Sequence, residues 1–277
     1  MKTPTLSEVL AAVRQLPSLS VVVTDLLASL NRENVDTASL VSKIAQDQGL
    51  AARVLRVANS AFYGLNSRVS GVNEAVVVLG FHAVRSMALA AGIINVFPPG
   101  GGGKYDRLAF WQHAVGTGVC ARVLAGRLGK DAETAFTAGL LHDIGKLAMH
   151  VYYPAVFDAV LACRGADKAM IEAERQVLGF AHAAVGYEMA RNWHFPPAIQ
   201  QAIRNHHQPD AAPAFYTDVV HVANTLCCTL DIGSGGDDLV PPLAPGAWER
   251  LGLGWERLGQ CLHEIERTNA GMNLLSD

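Results

Sequence analysis

Apolar residues recur at i, i+3 or i+4, and i+7 through nearly the whole chain, which is the spacing of amphipathic helices. Residues 19–30 carry Leu19, Val22, Val23, Leu26, Leu27 and Leu30 in this pattern. Residues 37–47 repeat it with Leu40, Val41 and Ile44, and Asp36 stands in front as an N-cap. Another helix starts near Leu50 and ends by the turn signal at 59–64. Residues 73–97 are nearly all apolar, interrupted at Gly80-Phe81. A buried strand fits 76–79, but the length and alanine content of the region predict two central helices. The run Pro98-Pro99-Gly100-Gly101-Gly102-Gly103 breaks the pattern, since no helix crosses it cheaply.

Beyond that break, helices are predicted near 107–127, 132–151, 154–163, 167–178, 181–193, 196–205 and 215–230. A Gly-, Pro- and Asp-rich stretch at 231–246 reads as a mobile loop. A last helix over 255–269 has the docking stripe Leu258, Cys261, Leu262 and Ile265. No series of alternating strands occurs, so the expected fold is all-α. The expected organisation is a helical lobe at 1–97, a second helical core at 104–230, and a loop with a C-terminal helix at 231–277.

Composition narrows the function class. Of 277 residues, 50% are hydrophobic and 17% charged, too apolar a balance for disorder. A formal net charge of −3 argues against a dominant phosphate-backbone binder, which carries a basic excess. The five cysteines include the pair Cys227-Cys228 but no CxxC spacing, and they read as buried thiols in a reducing compartment. The first residues lack the apolar run of a signal peptide, and residues 87–97, the longest uncharged apolar stretch, are too short to span a bilayer. The expectation is a cytoplasmic protein without a membrane partner.

The chemistry concentrates in histidines. All but His82 lie beyond residue 104, at His113, His142, His150, His182, His194, His206, His207, His221 and His263. The sharpest feature is Leu141-His142-Asp143-Ile144-Gly145-Lys146. On a continuous helix, His142 and Lys146 lie one turn apart on one face, with Asp143 beside them. Leu140, Leu141, Ile144 and Leu147 then bury the opposite side. A carboxylate on so apolar a helix needs a partner, because desolvating it alone is expensive. A divalent metal between imidazoles and aspartate supplies one; an ion pair with Lys146 supplies another. Spacing alone leaves both open.

This segment, with His113 upstream and His182 and His206-His207 downstream, resembles the HD superfamily of metal-dependent phosphohydrolases, whose HD-GYP branch hydrolyses cyclic dinucleotides. The resemblance puts His113, His142, Asp143, His182, His206 and His207 on metal positions and Lys146 on a phosphate-contacting, catalytic one. It implies a divalent ion (Fe, Mn, Zn or Mg), one or two per chain. The closing ligand departs from the pattern: Asn224 stands where an aspartate is expected, and a neutral carbonyl holds a hard cation less tightly than a carboxylate does. The Gly-Tyr-Pro segment of the catalytic branch is also missing after His207.

The first lobe refines the likeness. Leu16-Pro17, Ile44-Ala45-Gln46-Asp47, the stretch from Val54 through Asn59 to Tyr63, Ala75 to Gly80, and Phe180-Ala181-His182 with Trp193 and Pro196 resemble HDOD domains. The likeness covers roughly 16–212. HDOD domains share the HD fold and are regarded as regulatory modules of bacterial signalling without established catalysis. The resemblance thus implies protein or small-ligand interaction, with signalling partners such as response regulators or diguanylate cyclase and phosphodiesterase components. No receiver, GGDEF or EAL domain is expected on this chain. The competing reading is a metal-dependent phosphohydrolase acting on a nucleotide or cyclic dinucleotide, with Lys146, Arg191 or Arg204 as cationic help.

A helix-turn-helix reading of 40–55 would offer Arg53, Arg56 and Asn59 to a major groove. Acidic balance and apolar helix content weigh against it, and DNA is not an expected partner. Phe62, Tyr63 and Arg68 are candidate contact residues. His221, one helical turn before Asn224, is a candidate support for the metal site; His82, His150, His194 and His263 are read as structural.

Overall fold

The computed structural model of the chain describes residues 3–15, 18–30, 35–59, 67–97, 105–165, 168–236 and 239–269. The Leu16-Pro17 segment, Phe62, Tyr63 and the 98–103 break lie outside them. Among the described residues the regular structure is entirely helical. The first half holds α1 (Leu6–Val13), α2 (Val21–Ser29), α3 (Thr37–Gln46), α4 (Gln48–Ala58), α5 (Val72–Leu79) and α6 (Phe81–Ile94). The second holds α7 (Arg107–Arg127), α8 (Ala132–Leu141), α9 (Ile144–Tyr152), α10 (Pro154–Arg164), α11 (Met170–Leu178), α12 (His182–Asn192) and α13 (Pro197–Asn205). A 3-10 turn at Pro209–Ala211 precedes α14 (Phe215–Thr229), α15 (Pro245–Leu251) and α16 (Trp255–Asn269).

Helix starts follow local chemistry. Ser20, Asp36, Asp47, Asp106 and Asp131 each accept a backbone N–H of the following first turn. Thr5 and Glu8 close a capping box on α1, Glu8 Oε2 accepting the Thr5 N–H at 2.7 Å. Helices α3 and α4 share Asp47 as cap, so α4 begins with no intervening turn. The Asn59 side chain is engaged by the Val69 backbone, donating and accepting at 2.8 Å. Neither feature suits a DNA-reading helix pair.

Helix α6 joins the halves. Residues 83–91 are buried throughout, and α6 packs on α2, α4 and α5 on one side and on α8 on the other. One hydrophobic core therefore runs from Val9 in α1 to Ile265 in α16. In the second half α7 is the axis, flanked by α8, α14 and α16, while α12 packs on α9 and α13, and α13 packs on α8 and α14.

Two expectations change here. The helix expected over 132–151 is broken at His142-Asp143, where Asp143 takes φ −102° and ψ 9° before α9 begins. Consecutive helical residues point about 100° apart around the axis; the break instead lets both side chains converge. The 231–246 stretch, expected as a mobile loop, is partly packed: Ile232 is buried, the Ser234 N–H donates to Ala109 O at 3.0 Å, and residues 245–251 form α15.

Candidate metal centre

Each candidate ligand sits where an element starts, ends or crosses another. His113 lies within α7, His142 caps the C-terminus of α8, and Asp143 opens α9. His182 is the first residue of α12, and His206 caps α13 with His207 next to it. Close helix crossing brings them together. A Cβ at Gly145 would fall 2.0 Å from the His182 carbonyl oxygen, so only glycine lets α9 reach α12 this closely.

Asp143 is the hub. Its Oδ1 lies 2.9 Å from His182 Nε2 and 3.6 Å from His206 Nε2. Its Oδ2 lies 2.7 Å from Lys146 Nζ, 3.3 Å from His142 Nε2 and 3.9 Å from His113 Nε2. His207 Nε2 approaches His182 Nε2 at 3.1 Å. The donor atoms form two overlapping groups, Asp143 with His182, His206 and His207, and Asp143 with His113 and His142; within each, all atoms lie within 4.8 Å of one another.

The imidazoles are oriented from behind. His142 Nδ1 faces Gly139 O at 2.6 Å, and His206 Nδ1 faces Ile203 O at 2.9 Å. These carbonyls require a proton on Nδ1, which leaves the Nε2 lone pair pointing inward. The buried Nε2 atoms of His142 and His206 make no directed hydrogen bond. Inward lone pairs around a buried carboxylate are the donor set of a cation site, so these residues fit a divalent metal. His182 differs: Glu174 Oε2 accepts both its Nδ1–H at 2.7 Å and its backbone N–H at 2.9 Å.

Electrostatics follow from burial and neighbours. Burial opposes charge on Asp143, but His142, Lys146 and His182 outweigh it and hold the carboxyl well below its ordinary range. Burial, then His142, push His113 down to about 3, and burial pushes His206 down to about 4. His207 is also driven well below 6.5 by burial and by His206. His182 goes the other way: burial disfavours its charge, yet Glu174 and Asp143 on either side raise it to about 9. An imidazolium here is the proton's answer to the same negative pocket that suits a metal.

The remaining candidates fall beside this centre. Asn224, on α14, lies beside His113, and its Oδ1 accepts from Cys228 Sγ at 3.7 Å. Lys146 Nζ donates to Asp143 Oδ2 and, at 2.8 Å, to Gly235 O. His221 ties the centre to its cover, facing His206 O through Nδ1 at 2.7 Å and accepting the Ala244 N–H at 2.9 Å on Nε2. His150 packs against Tyr105 and Phe157. Arg191 pairs with Glu188 on the surface, and Arg204 lies over the Tyr187 ring.

Two participants escaped the sequence reading. Glu174 is fully buried at the second position of an apolar stripe, one turn after Met170, and a glutamate in that register is the signal that marks it. The strap at 232–236 carried no signal beyond its glycines. Gly235 lies so close that a Cβ on it would sit 3.1 Å from Asp143 Oδ2, 3.2 Å from His113 and 3.2 Å from Lys146 Nζ.

Known proteins share this fold. A crystal structure of an HDOD domain protein of unknown function from Geobacter sulfurreducens is similar with a TM-score of 0.82 and 25% identity, covering 95% of this chain and 97% of that one. A Shewanella amazonensis SB2B protein provisionally called a phosphohydrolase is similar with a TM-score of 0.70 and 27% identity, over 94% and 97% of the two chains. Ribonuclease Y of Thermus thermophilus is 31% identical over 147 residues, half of this chain but 21% of that enzyme. The chain spans well under half the length of the first full-length relatives it matches, 40% and 21%. No helix among the described residues is long and apolar enough to cross a membrane. The HDOD domain profile matches residues 16–209, most of the sequence, and the chain belongs to the HDOD family.

Proposed function

We propose that this protein is a regulatory module of bacterial signal transduction, acting by protein or small-ligand interaction, in which the His/Asp centre holds a divalent cation as a brace. The observation that carries this reading is the contact between Lys146 Nζ and Gly235 O at 2.8 Å. The cation that the HD likeness would aim at a phosphate is engaged by the protein's own backbone. The strap around Gly235 packs on Asp143 and His113 as well. A phosphodiester needs that space, so the resting arrangement favours holding over turnover.

Asp143, His182, His206 and His207 would hold the ion, with His113 and His142 as the second group around Asp143 and Asn224 beside them. When bound, the ion supplies positive charge that joins the end of α13 to the starts of α9 and α12. The chain's residues do the rest: Gly139 O and Ile203 O fix two imidazole tautomers, and Glu174 fixes a third ring. An imidazole-rich donor set suits Zn or Fe better than Mn or Mg. Signalling proteins, such as response regulators or diguanylate cyclase and phosphodiesterase components, are the partner class.

A second reading, a metal-dependent phosphohydrolase acting on a nucleotide or cyclic dinucleotide with Lys146 on the phosphate, rests on the convergence of the donor atoms. It requires the strap to leave. Turnover assays on protein loaded with Zn, Fe or Mn, using cyclic di-GMP and bis(p-nitrophenyl) phosphate, separate the two. The regulatory reading predicts no turnover above the protein-free metal control. Metal-dependent hydrolysis that disappears in Asp143→Ala contradicts it.

A further inference from the structure

A cavity of about 420 Å³ opens between α1, α11, α12 and α13. We propose that it binds a small organophosphate monoester of about mononucleotide size. The inference goes beyond the regulatory reading and does not depend on metal occupancy.

The walls divide by chemistry. Leu6 and Leu10 of α1, with Ile171 and Phe180, supply an apolar side. Arg175 and Arg204 line the same space from α11 and α13. The Arg204 guanidinium lies 4.6 Å from the centroid of the Tyr187 ring, which restrains it without neutralising it. Among the described residues no carboxylate pairs with Arg175 or Arg204; Glu188, also at the cavity, is taken by Arg191 at 3.0 Å. Two exposed guanidiniums lining one open cavity suit a phosphate dianion, which arginine grips in forked geometry. Asn205 and Gln208 add amides able to meet the polar edge of a ring.

Size and position complete the argument. Small-molecule sites run from about 300 to 1,000 Å³, so 420 Å³ admits one nucleoside-sized body and not two. The cavity also reaches the centre. His207 lines it and is partly exposed, whereas His142, His182 and His206 are buried to 1% or less. Helix α1 precedes the matched residues 16–209, so Leu6 and Leu10 complete the apolar wall from outside the family profile. A ligand seated here touches α1 and the histidine-bearing helices at once, which is the contact a small-molecule input needs.

The test is calorimetric titration of the full chain, metal-loaded and chelated, with 5′-AMP, phenyl phosphate, inorganic phosphate and octanoate. The expected result is binding of both organophosphates in both metal states, with inorganic phosphate and octanoate at least about tenfold weaker. Arg175→Ala and Arg204→Ala should each weaken 5′-AMP about tenfold or more, since a charged hydrogen bond contributes about 1.5–3 kcal/mol. Both arginines are exposed, so these variants keep the fold. Leu10→Trp, which fills the cavity, should abolish binding. The proposal is overturned if neither organophosphate binds at millimolar concentration, if octanoate or inorganic phosphate binds equally well, or if both arginine variants bind as wild type does.

Discussion

The two halves of this molecule use burial differently. In the first, the core is aliphatic: Leu26, Ile44, Leu50 and Val54 are at most 3% exposed, and the buried charge among the described residues is Arg85, which reaches Ser29. In the second, an aliphatic shell of similar quality surrounds Asp143, Lys146, Glu174, His113, His142, His182 and His206, none more than 4% exposed. Apolar packing tolerates exchange of similar volumes, whereas each group in a buried polar cluster depends on the others. The first half is thus a scaffold whose residues are interchangeable in kind. The second is a constellation in which one removal strands several partners.

Removing the hub should produce the largest difference. Asp143→Ala leaves Lys146 and His182 buried without their shared carboxylate, and breaking a buried pair costs about 3–5 kcal/mol. Denaturant unfolding should show a loss of that size together with loss of bound metal. A change under 1 kcal/mol would erase the contrast between the halves.

Acid comes next. His113 and His206 have folded values of about 3 and 4, below the ordinary 6.5, and His207 is lowered too. The unfolded chain therefore binds more protons as pH falls below 6.5, and each such imidazole removes about 1.4 kcal/mol per pH unit well inside that window. His182, raised to about 9, contributes stability that is fully present below 6.5 and is lost as pH rises through 9. Chelated protein should lose Tm steeply between pH 6.5 and 4 and more gently toward pH 9. A flat acid limb would contradict the buried neutral histidines.

Glu174→Gln probes orientation without emptying the hub. Supporting groups of this type change metal affinity by about 10–100-fold, and competition with a chromogenic chelator should show a loss in that range in a cooperatively folded variant. At the small end, Ile44→Val in α3 should cost about 0.5–1.5 kcal/mol and leave metal binding untouched. A metal defect from Ile44→Val would mean that the halves are not separable in the way described.

Much of this was legible in the sequence because helical periodicity and capping are local. The stripe at 37–47 with Asp36 ahead of it became α3 with its cap, and the apolar run at 73–97 became two helices meeting at Gly80. Helix α1, capped by Thr5 with Glu8, was not among the expected helices, and α15 is too short to show a period. The helix expected across 132–151 failed at its most important point, since periodicity is blind to a two-residue break that turns His142 and Asp143 inward. Glu174 and the Gly235 strap were hidden for another reason. Their roles arise from contacts with His182, eight residues away, and with Lys146, 89 residues away. The strap shows glycine-rich composition in sequence, and composition alone cannot distinguish a hinge from a close approach.

The most direct test is elemental analysis of protein purified without chelator, paired with a thermal melt before and after chelation. The account predicts a first-row transition metal at about one equivalent per chain, a fall in Tm on its removal, recovery on adding it back, and neither metal nor response in Asp143→Ala. Folded protein that carries no metal, and whose Tm ignores added Zn, Fe and Mn, would contradict the claim that these histidines and Asp143 converge to hold a cation.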